Sequence, residues 1–402
     1  MTVQSGTATV HSSGNHVTIT ASQNAFLNWQ SFNIDPGETT RFNQPSAASI
    51  VWNRVNDSNP SRIFGNLEAN GVVVLMNQSG FFFGPNSSVS AAGLIVSTAP
   101  VAPDESSAGL FWKFEGAPPQ ASIINYGHLD IASGGSLFLI GQRIENHGML
   151  SAPGGEVRLM AGNEVLVNER PDGRGLSATV RLPAGSVDNS GRILADAGTI
   201  AMSAQVVNQN GLAQANSVRE RNGVIELIAT DSVTLGDHST LSAKGGENGA
   251  SNGGTVTVKS SASFEDSVGS KITVAGGRDG GNGGHVELSA ARMPRIQSAV
   301  DGSARSGYRG GALLIDPQDI VIGNTGTESA PNGTIGVLDP PVSGTLNLNV
   351  NSSFLGFSKL SFQATRNITV TSGTIWDLVA STGLSEPNSL LKLEAGNDIT
   401  LG

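Results

Sequence analysis

The chain has no cysteine among its 402 residues, so neither a disulfide framework nor a thiolate metal site can be built. Aromatic residues supply only 5% and charged residues only 14%, which leaves Asn, Ser, Thr, Gln and Gly to cover the surface. Those residues favour turns and strand faces over helices. Long apolar runs are missing too. The most apolar stretches, 72–76 and 81–83, fall far short of the roughly 20 residues a membrane-spanning helix needs, so stable membrane insertion is not expected. No long window places apolar residues at i, i+3, i+4 and i+7, whereas alternating runs such as 255–259 and 368–370 recur. The net charge of −10 argues against a nucleic-acid partner, whose phosphates call for clustered Lys and Arg.

What is present is internal repetition. Ile124-Asn125-Tyr126-Gly127-His128-Leu129 aligns with Glu145-Asn146-His147-Gly148-Met149-Leu150 at a spacing of 21, and Gly134-Gly135 with Gly154-Gly155 at 20. Gly141 and Gly162 are again 21 apart, and Asn189-Ser190-Gly191 opens a similar unit after an insertion at 158–188. Residues 243–256 match 275–286 at 30 to 31, and Leu360-Ser361-Phe362-Gln363-Ala364 matches Leu391-Lys392-Leu393-Glu394-Ala395 at 31, with Ile368 answering Ile399. The unit is one coil of about 20 residues, in places carrying a loop of roughly ten more.

Each unit holds short β runs that cannot bury an apolar face alone. Stacked, they pair with the rungs above and below at about 4.8 Å and line up like residues into ladders. The expected fold is all-β: a right-handed parallel β-helix with an N-terminal cap and short extra-helical hairpins. About 16 coils would make a rod of roughly 75 Å. A propeller would need blades of about 40–45 residues and more aromatic side chains. Asn-x-Gly is expected to mark coil corners, with Asn in the left-handed conformation that a sharp corner requires.

The first hundred residues repeat less clearly but carry an ordered set of motifs: Phe26-Leu27-Asn28-Trp29-Gln30-Ser31-Phe32-Asn33-Ile34, then Arg41-Phe42-Asn43-Gln44-Pro45, Asn53-Arg54-Val55, Arg62-Ile63-Phe64-Gly65, Asn70-Gly71 and Asn77-Gln78-Ser79-Gly80-Phe81-Phe82-Phe83-Gly84-Pro85. This order resembles the N-terminal secretion domain of the filamentous haemagglutinin family, the exoproteins of two-partner secretion. Residues 310–317 are similar to a segment found further along such exoproteins. The resemblance implies that a cognate outer-membrane transporter recognises the N-terminal module in the periplasm and exports the chain unfolded, N-terminus first. The absence of cysteine suits that route, because a crosslinked loop cannot be threaded. The domain division that follows is 1–115 for the secretion domain with its cap, 116–310 for β-helix coils with Gly-rich loops, and 311–402 for further repeats expected to continue in a longer chain.

By the same resemblance Asn77, Gln78, Ser79 and Gly80 stand where the family has Asn-Pro-Asn-Gly, and with Asn33, Asn43, Asn70 and Gly71 they form the secretion motif. Trp29, Phe32, Phe42, Trp52, Phe81, Phe82 and Phe83 are expected to plug the open first end of the solenoid, since terminal coils need a cover.

No enzyme and no cofactor are expected. The acidic pairs Asp104-Glu105 and Glu265-Asp266 fit solvated loops rather than a paired-carboxylate cleft. The six histidines lack metal-ligand spacing, and His128 and His147, at nearly corresponding positions, are expected to stack. The Gly-rich run 276–284 lacks the Lys-Ser/Thr ending of a phosphate loop and reads as a flexible loop. The functional expectation is an N-terminal fragment of a secreted surface adhesin or biofilm-matrix protein of a Gram-negative bacterium. Its partners would be the transporter and extracellular polysaccharide or host glycans. A cytolysin, a contact-dependent inhibition toxin and a haem-carrier-capturing exoprotein are the alternatives.

Overall fold

The computed structural model describes residues 1–101, 111–169, 175–324, 344–350, 354, 356–379 and 389–402. Backbone contacts divide the chain into two compact units, residues 1–195 with 199–206 and residues 196–198 with 207–402. Both are parallel β-helices, and no helix among the described residues is long and apolar enough to cross a membrane.

A coil of the first unit has three short strands, as in Ser61–Ile63, Asn66–Ala69 and Val72–Asn77, and each pairs in parallel with its counterpart one coil on. Strict alternation sends every second side chain inward. The inward rows form aliphatic ladders, Val51–Val73–Leu94–Leu137–Val157 on one wall and Leu67–Val89–Leu129–Leu150–Ile193 on another, all fully buried. Seven parallel rungs follow one another along the first wall, from Ala25–Trp29 to residues 199–203.

The second unit repeats the scheme with longer coils. Leu227, Val258, Leu288, Ile315 and Phe362 make a continuous inward ladder, and its wall has six parallel rungs, from Val224–Leu235 to Leu390–Ala395. Described rungs are thus fewer than the 16 expected, because many coils exceed 20 residues: successive partners lie 43 apart from Leu94 to Leu137 and 31 apart from Leu360 to Leu391.

The N-terminal cap differs from expectation. Thr2–Ser5 runs antiparallel to Ala25–Trp29, and Ala8–Ser13 antiparallel to His16–Ala21. These reversed, largely exposed strands satisfy the backbone of the first rung, so the end is closed by polar strands and not by aromatic side chains. Trp29, Phe32 and Phe42 pack together in the first coils, with ring centroids 5.1 and 6.4 Å apart. Phe81 and Phe83 face the interior, and Phe82 faces outward.

Trp52 belongs to a second core outside the helix. It stacks on Phe26 and continues outward-facing rows with Val74, Ile95 and Phe138. Three antiparallel strands, Phe111–Glu115, the distal half of Glu156–Glu169 and Leu176–Pro183, cover these rows with Trp112, Phe114, Val165, Val167 and Ala178. The Trp112 ring meets Trp52 edge-on at 4.9 Å. An expected extra-helical hairpin is therefore the lid of an apolar layer, and Trp52 is drawn to it rather than to the open end.

The repeat register agrees with the sequence spacing at Asn125–Asn146, Leu129–Leu150, Val256–Val286 and Leu360–Leu391. It differs at Gly141, which pairs with Ala161, because the turn at Gly154-Gly155 is one residue shorter than its predecessor; Gly162 instead opens the hairpin opposite Pro183. His147 stacks on Tyr126 at 4.6 Å, the ring that occupies its position one coil earlier, and not on His128.

Candidate functional site

The chain must turn the coil corner from Val72–Asn77 into Phe81–Phe83 within a few residues, and Asn77 to Gly80 accomplish this. The Asn77 side chain is buried; its Oδ1 accepts from the Ser79 N–H at 2.9 Å, while Nδ2 donates to the Asn59 carbonyl at 3.1 Å and to Ser61 Oγ at 3.0 Å. Ser79 Oγ donates to the Asp57 carbonyl at 2.7 Å, and the Gly80 N–H closes the turn on the Asn77 carbonyl at 3.0 Å. Gly80 adopts φ +108°, and a Cβ there would sit 2.5 Å from the Ser122 carbonyl. Of the four residues only Gln78 is exposed.

The remaining motif residues also serve the backbone. Asn33 Oδ1 accepts from the Arg62 N–H at 2.8 Å. Asn70 acts as a surrogate peptide: its Oδ1 accepts from the Gln44 N–H at 2.8 Å and its Nδ2 donates to the Gln44 carbonyl at 2.7 Å. A Cβ on Gly71 would meet the buried Gln44 amide at 2.5 Å. Asn43 is exposed and shares a shallow groove with Arg41, Glu68, Asn70 and Ser90. The structure thus places two of these groups close together, Asn43 with Asn70 and Gly71 on one wall and Asn77 to Gly80 at a corner, and spends most of their hydrogen-bonding capacity internally.

Sequence reasoning missed three features nearby. One is a buried amide ladder: Asn125 Nδ2 donates to Asn146 Oδ1 at 2.8 Å, and Asn146 Nδ2 to Asn189 Oδ1 at 2.7 Å. Neither these Asn residues nor the Gly two positions on is left-handed, contrary to expectation. The glycine is needed for close approach, since a Cβ on Gly148 would lie 2.2 Å from the Gly127 carbonyl. The second is an outward aromatic file beginning at the turn, in which Phe64, Phe82, Tyr126 and His147 follow one another at 5.7, 5.8 and 4.6 Å. The third is Arg54, whose guanidinium lies 4.8 Å above the Phe26 ring and donates to the Val101 carbonyl at 3.0 Å; burial lowers its pKa.

Among the described residues no group of three His, Cys, Asp or Glu could hold a metal ion. Asp104 and Glu105 lie outside the described residues. Asp266 is not in a solvated loop: it is buried, burial raises its pKa, and its carboxylate accepts from the Gln297 and Ser298 N–H groups and from Ser298 Oγ. Asp319 is held below the usual carboxylate range by its hydrogen bonds from Arg366 and lies at a coil corner with Asn367. Each of these acids fastens a loop.

With this geometry the comparisons with known proteins agree. Residues 1–243 match the family described as the TPS secretion domain, beyond the 3–100 stretch that holds the ordered motifs. A heme/hemopexin-binding protein of Haemophilus influenzae is 28% identical over 251 residues, covering 59% of this chain and 27% of that protein. A second Haemophilus influenzae protein of the same description is 36% identical over 77 residues, 19% of this chain and 8% of its own. The chain therefore spans about a quarter or less of the length of these curated relatives. The crystal structure of the HMW1 secretion domain from Haemophilus influenzae superposes with a TM-score of 0.67 at 21% identity, over 100% of this chain and 99% of that one, and so shares the fold. The chain belongs to the TPS secretion domain family, whose members leave the cell through a dedicated outer-membrane transporter.

Proposed function

We propose that this chain is the export module and first coils of a large surface exoprotein devoted to adhesion or biofilm-matrix assembly in a Gram-negative bacterium. The observation that carries the reading is the family match over residues 1–243, coinciding with a capped, seven-rung β-helix and the turn at Asn77 to Gly80. The cognate transporter reads the shape of that turn and of the neighbouring wall. Asn33, Asn43, Asn70 and Gln78 are the exposed motif residues, and of these the side chains of Asn43 and Gln78 make no hydrogen bond to a neighbouring rung, among the described residues, that would hold them back from direct contact. The coils beyond are a spacer that carries distal adhesive regions outward, and catalysis has no part in the reading.

Co-expression of the chain, behind a signal peptide, with its transporter provides the test. Transporter-dependent appearance of the chain in the medium, abolished when residues 1–97 are removed, is expected. Export without the transporter, or export of the truncated chain, sinks the proposal. A second reading, capture of a haem carrier, is favoured by the names of the two Haemophilus influenzae relatives. Binding of haem-loaded hemopexin by the purified chain would support it, and equal binding of an unrelated serum protein would dismiss it.

A further inference from the structure

Four successive loops of the second unit, 215–223, 243–254, 274–284 and 302–310, lie on the same edge of their coils, between the strands that end at Gln214, Ser242, Thr273 and Asp301 and those that begin at Val224, Thr255, His285 and Gly311. They do not hang free. The Ser217 N–H donates to the Lys244 carbonyl, that of Gly245 to Ala275 and that of Gly276 to Ser303, each at 2.8 Å. Farther out, Asn252 Oδ1 accepts from the Asn282 N–H at 2.8 Å, and Asn282 Oδ1 from the Arg309 N–H at 2.9 Å. The Gly-rich run read from sequence as a flexible loop belongs to the third layer of a stitched ledge. Its glycines let the layers touch: a Cβ on Gly281 would sit 2.1 Å from the Ser251 carbonyl.

The ledge carries six cations, Arg219, Arg221, Lys244, Arg278, Arg305 and Arg309, against three carboxylates, on a chain whose net charge is −10. Two of the three carboxylates are engaged locally. Glu247 pairs with Lys244 at 2.5 Å, and Asp279 accepts from the Gly249 N–H at 2.7 Å. The guanidinium groups of Arg219, Arg278, Arg305 and Arg309 stand on exposed residues without a salt bridge among the described residues. Between them Tyr308 is 42% exposed, its ring packed over Gly280 where even a methyl group would come within 2.5 Å. The loops that carry these arginines are stitched to one another on successive coils, so the cations share one edge of the unit.

The geometry points to this ledge as a binding site for an acidic polysaccharide, one bearing carboxylate or sulfate groups along a flexible chain. Guanidinium groups pair with such anions in fork geometry, and the exposed face of Tyr308 offers an apolar platform for a sugar ring. Each ion pair is weak because it is screened, and affinity arises from several engaged by one chain. The inference rests on the adhesive reading and names its ligand class. It is tested on the purified chain, so failure of binding leaves the export reading standing, and failure of export leaves the binding result intact.

Binding to immobilised dextran sulfate and to alginate is measured against unmodified dextran, a duplex oligonucleotide and anionic phospholipid vesicles. The expected result is binding to one or both acidic polysaccharides and none to dextran, weakening steeply as salt rises. The combined variant R278Q/R305Q/R309Q should bind at least about tenfold more weakly, the summed loss of three screened pairs. Tyr308→Ala should weaken binding with the salt dependence unchanged, and Tyr308→Phe should restore it. Arg143→Gln, on an exposed strand of the first unit, should bind as the parent. All the changed side chains are exposed, so unaltered circular dichroism is the folding control. Parental binding by the triple variant, or tighter binding of the oligonucleotide or the vesicles than of either polysaccharide, overturns the proposal.

Discussion

At Asn146 both ends of one carboxamide are used: the oxygen receives Asn125 and the nitrogen passes the chain on to Asn189, in full burial. A carboxamide donates from its nitrogen at one end and accepts at its oxygen at the other, so it can hand the bond from rung to rung. The same economy governs Asn77, whose side chain replaces backbone partners at a corner that no strand can serve. Gly80 beside it is the most constrained position of the turn, with a left-handed φ and a carbonyl 2.5 Å from any Cβ. Gly80→Val should therefore destabilise the first unit by about 2–4 kcal/mol, the cost of a strained φ plus a displaced rung. Urea unfolding followed by tryptophan fluorescence measures it, and a midpoint within error of the parent would show that the turn relaxes freely. Because the Asn77 and Ser79 side chains are spent internally and Gln78 is unchanged, an export defect in this variant would be read as loss of turn shape.

Trp112 and Phe114 lie on a strand that pairs antiparallel with Val167 and Val165, about fifty residues later, and together they roof the rows of Trp52, Val74 and Ile95. Trp112→Ala removes the ring that abuts Trp52 and should cost about 3–5 kcal/mol, as large-to-small changes in a closed apolar layer do. The readout is a lowered melting temperature together with binding of a hydrophobic dye; a loss below about 1 kcal/mol would mean that the lid is loosely seated. This element also shows where the sequence was legible and where it was not. Coil register was readable wherever Asn and Gly sit at fixed corners, as at Asn125–Asn146 and Asn146–Asn189, because close rung contact tolerates little else there. It slipped by one at Gly141, because a spacing of 21 fits two glycines whichever way the intervening turn is built. Trp52 was misassigned because the wall that carries it is apolar on both faces, so alternation does not say which face is inside. The lid strand escaped because Phe111-Trp112-Lys113-Phe114 has the period of any coil strand, and its partner is distant in sequence.

Along each unit the backbone is held chiefly by bonds to the rungs before and after, so a folded coil needs only its predecessor to be complete. A chain built this way can be threaded through a pore and wound up on the far side one rung at a time, provided nothing crosslinks the rungs beforehand. The sequence has no cysteine to do so. Asp130 and Ser151 face each other in register on neighbouring parallel strands, at a separation of about 4.8 Å that suits a disulfide. The double variant Asp130→Cys/Ser151→Cys, oxidised in the periplasm, would close a loop of 21 residues ahead of the transporter. Export of this variant with its cognate transporter should stall, with the chain accumulating in the periplasm, and should recover when cells are grown with dithiothreitol or when either cysteine is absent. The purified oxidised protein should be at least as stable as the parent, which separates a threading block from a folding defect. Undiminished export of chains shown by thiol labelling to be crosslinked would mean that the pore passes a two-stranded loop, and winding from an unfolded thread would then have to be abandoned as the route by which this β-helix forms.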